Sequence, residues 1–291
     1  MHHLSTDALM RLNTHQCDLH FVKQYTSATN RPDLILADGN FKAQADVWTP
    51  SEFENAHKWK HEKFDYKLTS LGFRENTEIP EHIDLAVFGC SFTFGVGLPL
   101  NGTWHKVLSK KHDIVSYNFG TSGSSIKSSY DIFSIVSRYT KIRKAIFLMP
   151  TYERQLCAVD HIHDKDKVAL LDLIPIYDSI PLGEVHGGYY IRIGEYYKNT
   201  PVSELQKKMK DDIYNIELLA KMMNIEAFIS SWDRPTYNLI KSMDLKTMTI
   251  LPEWINPPDY DSELDKARDI YHPGFKHHKY WAEQIENQVF K

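Results

Sequence analysis

The sequence is poor in cysteine, with three in 291 residues (Cys17, Cys90 and Cys157). So odd and sparse a set excludes a disulfide-stapled fold and fits reduced thiols in a cytoplasmic setting. No apolar run approaches the roughly 18 residues of a membrane-spanning helix. The opening MHHLSTDALMRLNTHQ lacks the charged-then-apolar layout of a secretory leader, so a soluble protein without membrane insertion is expected. Charge of one sign is missing too. The 34 basic and 38 acidic residues leave a net charge of −4, and the basic ones are scattered, which argues against nucleic acid as a partner. There is no internal repeat and no low-complexity tract. The segment GTSGSS lacks the lysine of a phosphate-binding P-loop. His161, His163, Asp164 and Asp166 have no second cluster at ligand spacing, so no metal and no cofactor are expected.

What is present is alternation. Five nearly continuous apolar runs read as strands buried on both faces: DLAVFG (84–89), DIVSYN (113–118), KAIFLM (144–149), IEAFIS (225–230) and KTMTIL (246–251). Between them, Trp104, Val107 and Leu108, then Ile132, Ile135, Val136 and Tyr139, then Ile213, Ile216, Leu219 and Ala220 recur at helical spacing. A terminal helix carries Trp281, Ile285 and Val289 on one face, with His277 and His278 in surface or partly packed roles. The pattern predicts a three-layer α/β/α fold around a central parallel sheet of about five strands. Residues 1–80 fit it poorly and are expected to be an N-terminal extension packed on a core domain spanning 81–291. The extension holds a helix start at Thr49, Pro50 and Glu52. Residues 155–200 read as an insertion in which VALLDLIPIYDSI and GGYYIRIGEYY form a hairpin.

Ligands of parallel sheets bind beyond the carboxyl ends of the strands. The residues there are Gly89-Cys90-Ser91, then Asn118 to Ser124, then Pro150-Thr151-Tyr152-Glu153-Arg154, and near the end Asp269 and His272 in RDIYHPG. As an ordered set these blocks resemble the SGNH (GDSL-type) hydrolases over about residues 66–291. The resemblance implies a flavodoxin-like fold and an esterase in which Ser91 is the nucleophile, His272 the general base and Asp269 the carboxylate that orients it. It implies oxyanion donors at the backbone amides of Ser91 and Gly123, with Asn118 bracing the loop. Asp160 and His163 repeat the Asp-x-x-His spacing but lack the Pro-Gly and terminal helix that follow His272. The stretch Gly89, Cys90, Ser91, Phe92, Thr93 does not fit the G-x-S-x-G elbow of α/β-hydrolases.

Two departures from the family pattern stand out. Cys90 replaces the usual aspartate, and chain alternation aims it away from Ser91. In the third block MPTYER replaces Gly-x-Asn-Asp, leaving the Thr151 hydroxyl nearest the absent asparagine and Arg154 free to meet substrate charge. Tyr152, Tyr189, Tyr190, Trp232 and Tyr271 suit sugar rings as well as plain packing. A small-molecule ester or acylated carbohydrate is the expected substrate, with a short acyl group. The alternatives are a catalytically weak binding or structural protein, virion-associated if phage-encoded, and an O-acyltransferase using the same residues.

Overall fold

Strands that are apolar on both faces need helices on both sides to cover them, and this chain supplies two helical layers. The computed structural model describes residues 67–160, 168–173, 184–185, 189–190, 199–258, 265–267 and 272–291. The strands are β1 (His82–Gly89), β2 (Ser116–Asn118), β3 (Lys141–Met149), β4 (Gln155–Asp160), β5 (Val168–Leu173), β6 (Glu184–Val185), β7 (Tyr189–Tyr190), β8 (Glu226–Ser231) and β9 (Met248–Ile250). Five of them form one sheet in the order β2-β1-β3-β8-β9, with every neighbouring pair parallel. The winding direction therefore reverses between β1 and β3, which opens a crevice at their carboxyl ends.

Side chains alternate across each strand, so every second residue meets the same helical layer. On one face Leu85 and Val87 of β1 and Ile146 and Leu148 of β3 lie beneath two helices: α2 (Trp104–His112), which follows the one-turn helix α1 (Ser91–Phe94), and the terminal helix (Phe275–Val289). On the other face Ala86, Phe88, Ala145 and Phe147 pack under α3 (Ile126–Val136) and α4 (Val202–Met222). The short α5 (Arg234–Lys241) adds Ile240 to this side, and the terminal helix is α6. Phe88 stacks on Phe119 at 5.1 Å and on Phe147 at 4.9 Å, with Phe133 edge-on at 5.3 Å. These rings form a stiff floor directly under the crevice.

Several local expectations change. β2 starts at Ser116, three residues late, because Asp113 ends α2 in a left-handed conformation (φ 49) and Ile114 N donates back to Ser109 O. Among the described residues the two stretches of the insertion are not paired with each other. β5 runs antiparallel to β4, and β7 pairs with β6, because closure between consecutive strands needs less loop. α5 has too few apolar residues for periodicity to reveal it; the Asp233 carboxylate caps it by accepting from Thr236 N at 3.0 Å. His277 and His278 are buried, 4% and 1% exposed, since they lie four and three residues before Trp281 on the face that docks. Residues 67–80 are woven into the core through Phe73, Arg74 and Glu75, all buried. The helix expected from Thr49, the loop around His163, and both Asp269 and Tyr271 lie outside the described residues.

Candidate active site

Ser91 opens α1 two residues beyond the end of β1, at the reversal of the sheet. Gly89 makes that turn possible. Its φ is +146, and a Cβ there would sit 2.3 Å from the Leu148 carbonyl oxygen, so only glycine fits. Ser91 is 4% exposed, and its Oγ lies 4.0 Å from Cys90 Sγ. The Cys90 thiol is fully buried and accepts from Trp232 Nε1 at 3.1 Å, which occupies it in packing.

The loop after β2 is tied to the same turn. Thr121 N and Ser124 Oγ both donate to Gly89 O, at 2.9 and 3.0 Å. Gly123, with φ +78, lies between those anchors. The amides of Ser91 and Gly123 make no hydrogen bond among those of the described residues. Asn118 braces this arrangement as expected: its Nδ2 donates to Thr93 O at 2.9 Å, and its Oδ1 accepts from Gly120 N at 2.9 Å.

Beneath Asn118 is a polar network that sequence reading missed. Glu75 Oε1 accepts from Asn118 N at 3.0 Å, and its Oε2 pairs with Lys106 at 2.8 Å. Burial pushes the Glu75 carboxyl up, while Lys106 and the Asn118 amide pull it back. His105 is held neutral, well below the usual histidine range, by burial and then by the Lys106 and Arg74 charges. Neutral His105 accepts from Asn118 Nδ2 at 3.2 Å through Nε2 and meets Ser116 Oγ at 3.3 Å through Nδ1. Arg74, 1% exposed, donates to the carbonyls of Phe94, Gly95 and Leu98 and pins the far end of the Ser91 turn. The signal for this network was the run of polar residues Arg74-Glu75 between apolar Phe73 and β1, which has no meaning until the loops close over it.

His272 reaches the site from the loop before α6. Its ring lies edge-on to Phe92, the neighbour of Ser91, with centroids 5.6 Å apart. Asp265 holds that loop: its carboxylate accepts from Lys276 N at 3.0 Å and His277 N at 2.9 Å, and its carbonyl accepts from Gly274 N. His272 O in turn accepts from Ala267 N at 2.8 Å.

The third block is level with the first, because Gly89 pairs with Leu148 across β1 and β3. Thr151 Oγ1 accepts from Glu153 N at 3.4 Å, which leaves its hydroxyl proton able to donate elsewhere. Tyr152 N donates to Thr236 Oγ1 at 2.8 Å, while the Tyr152 ring packs against the α3/α4 core. Trp232, one residue past β8, stacks on Phe92 at 4.7 Å with an interplanar angle of 8°. Arg154 lies over the Trp232 ring at 5.5 Å. Trp254 extends this aromatic wall, edge-on to Phe92 at 5.7 Å and stacked on His277 at 5.0 Å. Burial brings His277 down to about 4, against a raising contact from the Ile255 backbone, so it is neutral at pH 7. Tyr189 and Tyr190 form β7. Among the described residues no group of three or more His, Cys, Asp or Glu is arranged to hold a metal ion, and no helix is long and apolar enough to cross a membrane.

No protein-family model matches the sequence, and no curated protein matches it. Among solved structures, the chain is similar to a protein ascribed to the G-D-S-L lipolytic family from Desulfitobacterium hafniense, at 14% identity over 72% of this chain and 100% of that one, with a TM-score of 0.43. It is also similar to the psychrotrophic esterase EstA of Pseudoalteromonas sp., at 11% identity over 72% and 97% of the two chains, with a TM-score of 0.44. A third similarity is to the acetyl xylan esterase Est2A of Butyrivibrio proteoclasticus, at 11% identity over 73% and 65%, with a TM-score of 0.40.

Proposed function

We propose that this protein is a serine ester hydrolase. Ser91 Oγ attacks the ester carbonyl carbon while His272 takes its proton, and Asp269 orients His272. The tetrahedral intermediate collapses with cleavage of the bond to the alcohol oxygen, which receives the proton from His272. Water, deprotonated by the same imidazole, then releases the acid and restores Ser91. The developing oxyanion is met by the Ser91 and Gly123 amides, with the Thr151 hydroxyl in the place where the family pattern has an asparagine.

The observation that carries this reading is the convergence at one rim of the sheet. The loop bearing Gly123 is bonded to Gly89 O, and the His272 ring rests on the residue next to Ser91. The half-buried Phe92–Trp232 stack sets an apolar wall beside the nucleophile, which supports a short-acyl ester of a carbohydrate.

The test is labelling with a fluorophosphonate and turnover of p-nitrophenyl acetate, repeated with Ser91→Ala. Wild type should label and turn over, and the variant should lose turnover by roughly 10⁴-fold or more. A second reading, a binding protein of the same fold without useful turnover, is favoured by the replacement of the third-block asparagine by Thr151, whose oxygen already accepts from Glu153 N. Equal labelling of wild type and Ser91→Ala, with no turnover by either, selects that reading.

A further inference from the structure

Arg154 follows β3 in a tight turn, with its own amide donating to Thr151 O at 3.1 Å. Its guanidinium carbon lies 5.5 Å from the centroid of Trp232. The Trp232 ring is stacked on Phe92 at 4.7 Å, which leaves no room between the two rings, so the guanidinium takes the other side of the indole. Both Nε and Nη1 are shut off from solvent, and neither has a hydrogen-bond partner among the described residues. No described carboxylate accepts a hydrogen bond from Nε or Nη1. Asp233 caps α5 through Thr236 N and Oγ1, and Glu253 pairs with Arg234 at 3.0 Å.

A guanidinium is a permanent cation in proteins, and burying its N–H groups without acceptors is unfavourable. The indole face offsets part of that cost and supplies no lone pair in the ring plane. An anion on the substrate, meeting the guanidinium at Nη2, which is not among the closed-off atoms, would supply the missing countercharge, and such charge-assisted contacts are the strong ones. The Trp232–Phe92 stack stands between Arg154 and the His272 ring, so Arg154 addresses a part of the substrate remote from the scissile bond.

We propose that Arg154, backed by Trp232, forms an anion subsite, and that the ester cleaved at Ser91 carries a carboxylate or phosphate on the portion that reaches Nη2 of Arg154. This rests on the hydrolase reading for the identity of the bound group as substrate, whereas the binding of an anion does not depend on it.

The test has two arms. In the first, kcat/KM is measured for 4-acetoxybenzoate and 4-acetoxyphenyl phosphate against neutral methyl 4-acetoxybenzoate, and for p-nitrophenyl hemisuccinate against p-nitrophenyl butyrate. Wild type should favour at least one anionic ester over its neutral counterpart. Arg154→Gln should cut that ratio about tenfold or more, with part of it kept in Arg154→Lys. In the second arm, binding of benzoate and phenyl phosphate is followed by tryptophan fluorescence in Ser91→Ala, with and without Arg154→Gln. The added substitution should weaken one of the two about tenfold or more, and which one responds tells carboxylate from phosphate. Near-UV circular dichroism establishes that both Arg154 variants are folded. Equal dissociation constants in the two backgrounds overturn the subsite, whatever the esterase result. An unchanged rate ratio overturns its role in substrate choice. A binding difference in a protein that hydrolyses nothing leaves the anion site standing and sinks only the hydrolase reading.

Discussion

Two arginines near the Ser91 turn are used in different ways. Arg74, below the turn, spends its donors on the carbonyls of Phe94, Gly95 and Leu98. Arg154, over Trp232, has Nε and Nη1 buried with no hydrogen bond among the described residues. The first pattern is that of scaffold, in which both terminal nitrogens of the guanidinium are satisfied by backbone carbonyls. The second belongs to a surface that is completed by something else. The rim of this sheet is therefore asymmetric: the guanidinium on the β1/β2 side is bonded through both terminal nitrogens, and Nε and Nη1 of the one after β3 are buried without a hydrogen bond among the described residues.

The comparison predicts a graded response to substitution. Arg74→Gln should have the largest effect on stability, about 3 kcal/mol or more, because three carbonyls lose their donor at once. Denaturant unfolding should show it, and fluorophosphonate labelling should fall in parallel as the Ser91 turn loosens. Asn118→Ala removes the contacts to Thr93 O and Gly120 N and should cost about 1–3 kcal/mol, read as a lower urea midpoint.

Asp212, far from the rim on α4, tests an incompletely compensated charge of the other sign. Burial pushes its carboxyl up to about 7, against the opposing pull of Lys127 and with a further push from Asp131 and Asp211. The folded state then binds the proton more tightly than the unfolded one, so stability is greatest below about pH 4 and declines as the pH rises toward about 7. Asp212→Asn should remove that decline. It should match wild type near pH 4 and exceed it by about 1 kcal/mol at pH 8, a figure reduced for the partial exposure of the group.

Arg154→Gln should have the smallest effect, within about 0.5 kcal/mol of wild type, since Nε and Nη1 have no hydrogen bonds among the described residues and the contact with Trp232 is the interaction lost. A loss as large as that of Arg74→Gln would erase the distinction between the two sides of the rim.

Much of the fold was legible because its signal is local. β1 and β3 announce themselves as apolar runs, and the terminal helix shows its buried face through Trp281, Ile285 and Val289. Ser91 stood out because a glycine and a serine follow a strand at the sheet edge where ligands bind. The partners of these residues were not legible. Glu75 and His105 look like ordinary surface residues until α2 and β2 close over them. Asp265 resembles any loop acid until its carboxylate meets Lys276 N and His277 N. Pairing within the insertion escaped too, because strand propensity does not say which neighbour a strand will choose.

Periodicity and turn chemistry, which depend on neighbours within a few residues, were enough to determine the α/β class, the order of the main strands, and the places along the chain where chemistry could reside. Tertiary structure alone decided which buried charges would find partners, since the carbonyls that meet Arg74 lie 20 to 24 residues away in the chain and the indole beside Arg154 comes from another strand. Hydrogen bonding in a low-dielectric interior depends on positions in space, and those are set only when the two helical layers close on the sheet.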